Sequence, residues 1–356
     1  MGVIIGVIYH FIGGAAAGSF YMPYMKVKKW AWESMWIIGG FFSWLIIPTL
    51  AAWLTVPGFA GIIHSTDWST LSWTYFMGIL WGIGGLTYGL GVRYLGMSLG
   101  NSVILGLTAV FGALLPAVYY DFSYHPGKVT FTELLHNNWG HYILIGVAIC
   151  LIGIAISGRA GMMKDKDLSK KKPEDKSGGK AIQYNIATGL IVAVISGILS
   201  ACFNYGIEAG SSMAQMAVHR GVNPLFQNNV IFVVLLWGGL TTNFIWCVIL
   251  NIRNKSYGDY GDKKAPLTSN YLLSAAAGTT WFLQFFFYGM GESKLGNGAS
   301  SWILHMAFII LVANIWGLVL KEWKMVKMKT VVTISAGILA ILISILFVGY
   351  GNGLKP

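Results

Sequence analysis

The nine residues YGLGVRYLG at positions 88–96 return at 288–296 as YGMGESKLG. Five of the nine positions are identical at the same spacing, and each copy sits where one long apolar run gives way to the next. Weaker matches tie the start of the chain to its middle, with Gly6, Gly14 and Phe20 aligning on Gly189, Gly197 and Phe203. The chain therefore reads as two copies of one unit. With five apolar runs per copy, an odd number, the second copy must lie in the opposite orientation across a bilayer. Two like folds of opposite orientation can exchange conformations, so a site at their interface opens first to one side and then to the other. Channels and membrane enzymes need no such symmetry, and the repeat predicts a transporter.

The composition around these segments agrees. Of 356 residues, 55% are hydrophobic and 10% charged, against roughly 25% charged in a soluble domain. The 46 glycines suit membrane helices, where small residues let backbones approach closely. Windows of membrane-spanning length place helices near 2–24, 34–56, 70–91, 95–119, 140–158, 183–205, 226–250, 268–291, 297–320 and 330–350. The fold class is an all-α integral membrane protein with about ten transmembrane helices as two inverted five-helix repeats. The first repeat covers 1–160 and the second 182–356. Between them, 161–181 is charged, contains Pro and Gly, and shows no periodicity; it reads as an unstructured linker. Residues 1–9 lack a basic side chain, so a cleaved signal peptide is not expected. Gly14/Gly18, Gly78/Gly82 and Gly85/Gly89 offer small-residue packing faces, static or at a moving seam.

Charge sorts the loops into two sets. Lys26, Lys28, Lys29, Arg93, the Arg159–Lys180 stretch, Arg253–Lys264 and Lys321–Lys329 fall in alternate loops; the other set holds Asp67, Asp121, Lys128, Glu133, Glu208, Arg220, Glu292 and Lys294. The positive-inside rule makes the first set cytoplasmic, including the linker, and puts both termini outside. The net charge of +11 is thus a topology signal, and no nucleic-acid partner is expected. Cys150, Cys202 and Cys247 lie in apolar runs without metal-ligand spacing and read as small buried hydrophobes.

Ionisable residues within the bilayer core are costly and usually functional. His10 and His305 each lie about eight residues into a helix from the outer side, near ~12 Å depth. They are candidates for proton coupling, because an imidazole titrates near neutrality; the alternative is a neutral histidine holding two helices together. Glu33 opens the second helix. It reads either as a cytoplasmic proton acceptor or as a salt-bridge partner of Lys26, Lys28 and Lys29. Glu322 reads as a boundary anchor. Gln284 carries donor and acceptor groups suited to a sugar hydroxyl, and Asn243 and Asn204 share that chemistry. Trp81, Trp281, Tyr288 and Trp302 offer flat faces for a sugar ring, or simple core packing. The glycines at 82, 84 and 85 lie in a helix with no strand before them, so a nucleotide-binding loop is excluded. No metal cluster or nucleophile–base pair appears. No cofactor is expected, and the chain does not read as an enzyme.

Several segments resemble one family. KVKKWAWESMW at 26–36, LWGIGGLTYGLGVRYLGMSLG at 80–100, WFLQFFFYGMG at 281–291, SWILHM at 301–306 and GLVLKEW at 317–323 look like those of the bacterial L-rhamnose–proton symporters, of the drug/metabolite transporter superfamily. The similarity runs along nearly the whole chain. It implies uptake of L-rhamnose with a proton across the inner membrane, with sugar, proton and lipid bilayer as partners. The matching polar and aromatic positions are His10, Tyr21, Pro23, Lys26, Glu33, Trp81, Tyr88, Arg93, Asn243, Gln284, Tyr288, Trp302 and His305. The chain departs from the family pattern at Gly85, where the family has asparagine, and at Gly296–Ser300, where a tyrosine-bearing approach is replaced by GNGAS. Both departures bear on which sugar is preferred. An exporter of metabolites or drugs, or a sugar sensor without transport, is the rival reading; an exporter of apolar compounds would show fewer convergent amides.

Overall fold

The computed structural model describes residues 2–95, 97–123, 127–169, 186–319 and 326–355. Ten long helices dominate them. They are α1 Gly2–Tyr24, α2 Trp32–Thr55, α3 Trp68–Leu95, α4 Met97–Phe122, α5 Asn138–Ser169, α6 Ile186–Ala209, α7 Asn229–Asn254, α8 Leu267–Leu295, α9 Gly298–Val319 and α10 Met328–Leu354. Among the described residues, nine helices are long and apolar enough to cross a membrane, all of these but α8. At 29 residues α8 has the length. Thr279, Thr280, Gln284 and Tyr288 make it more polar, which fits its position: it packs along α1, α2 and α9, and polar residues of membrane helices face the bundle interior.

The packing obeys an exchange rule. α1 lies on α8 and α9, and α6 lies on α3 and α4; α7 lies on α3, and α2 on α8; α5 pairs with α10. Replacing each helix by the one five places along returns the same set of pairs.

Glycine makes the closest of these contacts. Any side chain at Gly14 or Gly18 would strike Phe308 or Val312 of α9, and Gly78 and Gly82 of α3 meet Leu235, Gly239 and Thr242 of α7. On α2, Gly39 seats its carbonyl against Gly278 of α8. Gly85 and Gly89 depart from the expectation of a packing face, since both look into open space. In α2, a wider turn over Phe42–Ile46 precedes Pro48; proline supplies no N–H for the regular helical bond, so the turn must loosen there.

One correction concerns the linker. α5 continues through Met162–Ser169, the first part of the stretch read as unstructured. Asp167 holds it in place, accepting from the Lys327 N–H at 3.0 Å and from Thr330 Oγ1 at 2.7 Å, a carboxylate on the N-terminal turn of α10, where the helix dipole favours negative charge. Residues 170–185, and Glu322 with its neighbouring lysines, lie outside the described residues.

Candidate functional site

A cavity of about 330 Å³ opens where α4, α6 and α8 end and α7 and α9 begin, small among small-molecule sites, which run to roughly 300–1,000 Å³. Its polar wall is built from the ends of separate helices. Glu208 is one residue from the end of α6, and its Oε2 takes two short contacts: the Tyr120 hydroxyl of α4 donates to it at 2.5 Å, and Lys128 Nζ lies at 2.5 Å. Gly127, in the left-handed region at φ 76°, turns the chain just before Lys128. The Lys128 ammonium also stands 6.0 Å from the centre of the Tyr120 ring.

Glu292 lies in the last turn of α8 and accepts from Asn228 Nδ2, at the start of α7, at 2.7 Å. The two carboxylates come together at Gly298. A Cβ built there would be 3.5 Å from Glu208 Oε1 and 3.5 Å from Glu292 Oε1, so they flank one methyl-sized space at the N-terminus of α9. Gly296, at φ 62°, ends α8 and reverses the chain. Asn297 then caps α9, accepting the Ser300 N–H at 3.3 Å. Its side chain is 3% exposed and its amide nitrogen has no hydrogen-bond partner among the described residues. A buried donor on a cavity wall is expected to find a partner, and here the cavity is where one would sit.

Below this wall lies a second layer. Asn204 of α6 donates to the Gly112 carbonyl at 2.7 Å and accepts from the Tyr288 hydroxyl at 3.2 Å, linking α4, α6 and α8. Trp302 donates to the Thr108 carbonyl at 2.9 Å and lies over Gly112, where any side chain would meet its ring. His10 and His305, read from sequence as lying at equal depth, come together in the fold: their ring centres are 6.1 Å apart, and each is edge-on to Tyr288, at 5.4 and 5.3 Å. Both are fully buried, and no ring nitrogen of either has a hydrogen-bond partner among the described residues. Glycine admits them, His10 against Gly291 and His305 against Gly13.

The remaining candidates spread out. Trp81 and Trp281 are 5.5 Å apart within an aromatic cluster holding Trp44, Phe203 and Phe285. Gln284 is 6% exposed and donates to the Trp281 carbonyl of its own helix at 2.9 Å. Asn243 donates to the Gly239 carbonyl at 2.9 Å and accepts from Trp36 Nε1 at 3.1 Å. Tyr88 packs with the separate small cluster of Leu95, Ile104 and Ala193. Of the polar and aromatic candidates singled out from sequence, Asn204 lines the cavity, as do Gly296, Asn297, Gly298 and Ala299 of the segment that departs from the family pattern.

Glu33 occupies the opposite end of the molecule, and its salt-bridge reading is corrected. It is 4% exposed and accepts from Ser256 Oγ at 2.6 Å and Asn254 Nδ2 at 3.0 Å. The ion pair found among the described residues is Lys128–Glu208. Around Glu33, Asp259 accepts from Ser34 Oγ and from the Ala31 N–H, both at 2.7 Å, Lys29 Nζ donates to the Lys264 carbonyl at 2.8 Å, and Asn270 donates to the Lys28 carbonyl at 2.8 Å. These bonds clamp the α1–α2 connection to the α7–α8 connection.

Sequence reasoning treated Glu208, Glu292 and Lys128 as loop charges, and passed over Tyr120 and Asn228. One signal was available: both acids lie within a turn of a helix end, on the side nearly free of lysine. No group of three His, Cys, Asp or Glu that could hold a metal occurs among the described residues.

Comparison with known proteins agrees with the segment resemblance. Residues 1–353 match the family L-rhamnose-proton symport protein. The chain is 37% identical over 354 residues to the L-rhamnose-proton symporter of Salmonella typhi, and 38% identical over 354 residues to those of Yersinia pestis (strain Pestoides F) and Yersinia pseudotuberculosis serotype O:3 (strain YPIII), with 98% of each chain covered. A match over this span, with ten long helices to carry it, makes the chain a member of the L-rhamnose-proton symport protein family.

Proposed function

We propose that this chain is a multi-pass transporter of the bacterial inner membrane that imports L-rhamnose together with a proton, and that the sugar first binds in the cavity beside Glu208. The observation that carries this is a polar cavity open at one end of the bundle and a hydrogen-bonded clamp at the other. Lys26, Lys28, Lys29, Arg253, Lys255, Lys263 and Lys264 gather at the clamp end, which supports a cytoplasmic clamp end, an outward-facing cavity and both termini outside. The packing that survives exchange of the two halves supports two inverted repeats, 1–160 and 182–356, about a cytoplasmic connection at 161–181.

A polyhydroxylated ring suits this wall. Hydroxyls donate to carboxylate oxygens and accept from the Lys128 ammonium and the free Asn297 N–H. Ala113, Pro116 and Ala117 of α4 add an apolar part to the lining, fit for the methyl group of a 6-deoxy sugar. Convergent carboxylates and amides disfavour an exporter of apolar compounds. A sensor without transport has no use for the paired halves.

In this reading the residues chosen from sequence belong to later steps of the transport cycle. Tyr288 and Trp302, then Trp281, Trp81 and Gln284, would meet the ring once the outer end closes, with Asn243 and Tyr88 on the flanks. His305 and His10 are the interior candidates for proton coupling, and Glu33 the candidate at the cytoplasmic end. Uptake of labelled L-rhamnose into proteoliposomes under an inward proton gradient tests the reading, with L-fucose and L-lyxose as competitors. Accumulation abolished by a protonophore is the expected result. Folded protein that takes up no rhamnose would contradict it and turn attention to Gly85 and Gly296–Ser300.

A further inference from the structure

We infer that the proton moved with the sugar is held on Glu292, in its pair with Glu208 on the cavity wall; this rests on the symport reading above. The geometry is a count of charges in a confined site. Two carboxylates flank the space at Gly298. Facing them are one ammonium, Lys128, bound to Glu208, and the N-terminus of α9, which supplies roughly half a positive charge. The other groups around Glu292 are neutral or remote: Asn228 of α7 is an amide donor, the Tyr120 hydroxyl of α4 is spent on Glu208, and His10 of α1 lies a layer below against Gly291. Lys294 of α8 is exposed, and Lys355 after α10 donates to the Gly296 carbonyl at 3.1 Å. Glu208 has the lysine, Glu292 has only an amide, and like charges so close favour one bound proton.

The step balances simply. A carboxylate oxygen of Glu292 takes one proton from outside water and forms an O–H bond. Glu292 is then a neutral acid that can donate as well as accept, and the sugar bridges it to Glu208. On the cytoplasmic side the O–H bond breaks, its proton passes to water, and one positive charge has crossed with each sugar.

The test uses the full-length protein in proteoliposomes, comparing wild type with Glu292→Gln, an uncharged mimic of the protonated acid. Two readouts are needed: exchange of labelled for unlabelled L-rhamnose, which requires no net proton movement, and sugar-dependent proton uptake reported by an internal pH dye. With a gradient of one pH unit, wild type should accumulate sugar about tenfold. Glu292→Gln should still exchange sugar, at a rate lowered because the residue also touches the sugar, while accumulation falls to no gradient and proton uptake vanishes. If Glu292→Gln neither exchanges nor accumulates, Glu292→Asp decides, since the inference requires it to restore proton-coupled uptake with a displaced pH profile. Undiminished proton uptake by Glu292→Gln, an inactive Glu292→Asp, or selective uncoupling by His305→Gln with Glu292→Gln still coupled would overturn it. Absence of rhamnose exchange in the wild type would instead overturn the symport reading.

Discussion

The two ends of the bundle join connections that exchange under the helix-pairing rule, and they are held differently. At the Glu33 end, Asp259, Glu33, Asn251 and Asn270 tie the α1–α2 connection to the α7–α8 connection through bonds that cross between the halves. At the other end the matching connections, α6–α7 and α2–α3, meet through less: Arg220 donates to Ser65 at 3.1 Å, and Asn229 to Thr55 at 2.8 Å. Bonds to an ionised group are about twice as strong as neutral ones, and Asp259 and Glu33 accept four of them in the clamp where Arg220 makes one between the matching connections. In the clamp the carboxylates Asp259 and Glu33 are spent on closure, whereas Glu208 and Glu292 face a cavity. Carboxylates thus tie one end together and line a cavity at the other.

Substitutions can break that contrast, and the largest effect is expected at the cavity. Glu208→Gln removes the charge that Lys128 and Tyr120 share; bonds to a charged group are worth about 1.5–3 kcal/mol, so the KM for sugar should rise roughly 10- to 100-fold, read from initial uptake rates. Asp259→Asn comes next. Weakening its two bonds should favour the inward-open state by about 1–2 kcal/mol, seen as an increase in labelling of a cytoplasmic-end cysteine by a thiol reagent. Glu33→Gln should act in the same direction by about 1 kcal/mol and leave the number of protons per sugar unchanged; a change in that number would return Glu33 to the proton path. Smallest is Tyr288→Phe, which loses the bond to Asn204. Such bonds in membrane bundles average about 0.6 kcal/mol, so thermal stability should fall only slightly.

The fold was largely legible in the sequence, because apolar runs and loop charge are strong local signals. α8 shows the limit: its interior position is what permits Thr279, Thr280 and Gln284, and interior position is a tertiary fact. His10 and His305 stand out in the sequence as ionisable residues inside apolar runs at equal depth, and in the fold they meet. Glu208 and Glu292 were missed because, in one dimension, a carboxylate near a helix end looks like any loop charge. What distinguishes them is the approach of α9 at Gly298, brought about by the left-handed turn at Gly296. Glu33 misled for the complementary reason: lysines near in sequence suggested its partner, while Ser256 and Asn254, far along the chain, supply it.

The account stands on the cavity being the outward-facing sugar site. Ser293 lines it, and the native Cys150, Cys202 and Cys247 are buried, so Ser293→Cys gives a single reporter. In intact cells it should react with a membrane-impermeant maleimide added outside, and saturating L-rhamnose should slow that reaction severalfold. Labelling only from the cytoplasmic side, or at a rate that sugar does not change, would contradict the account.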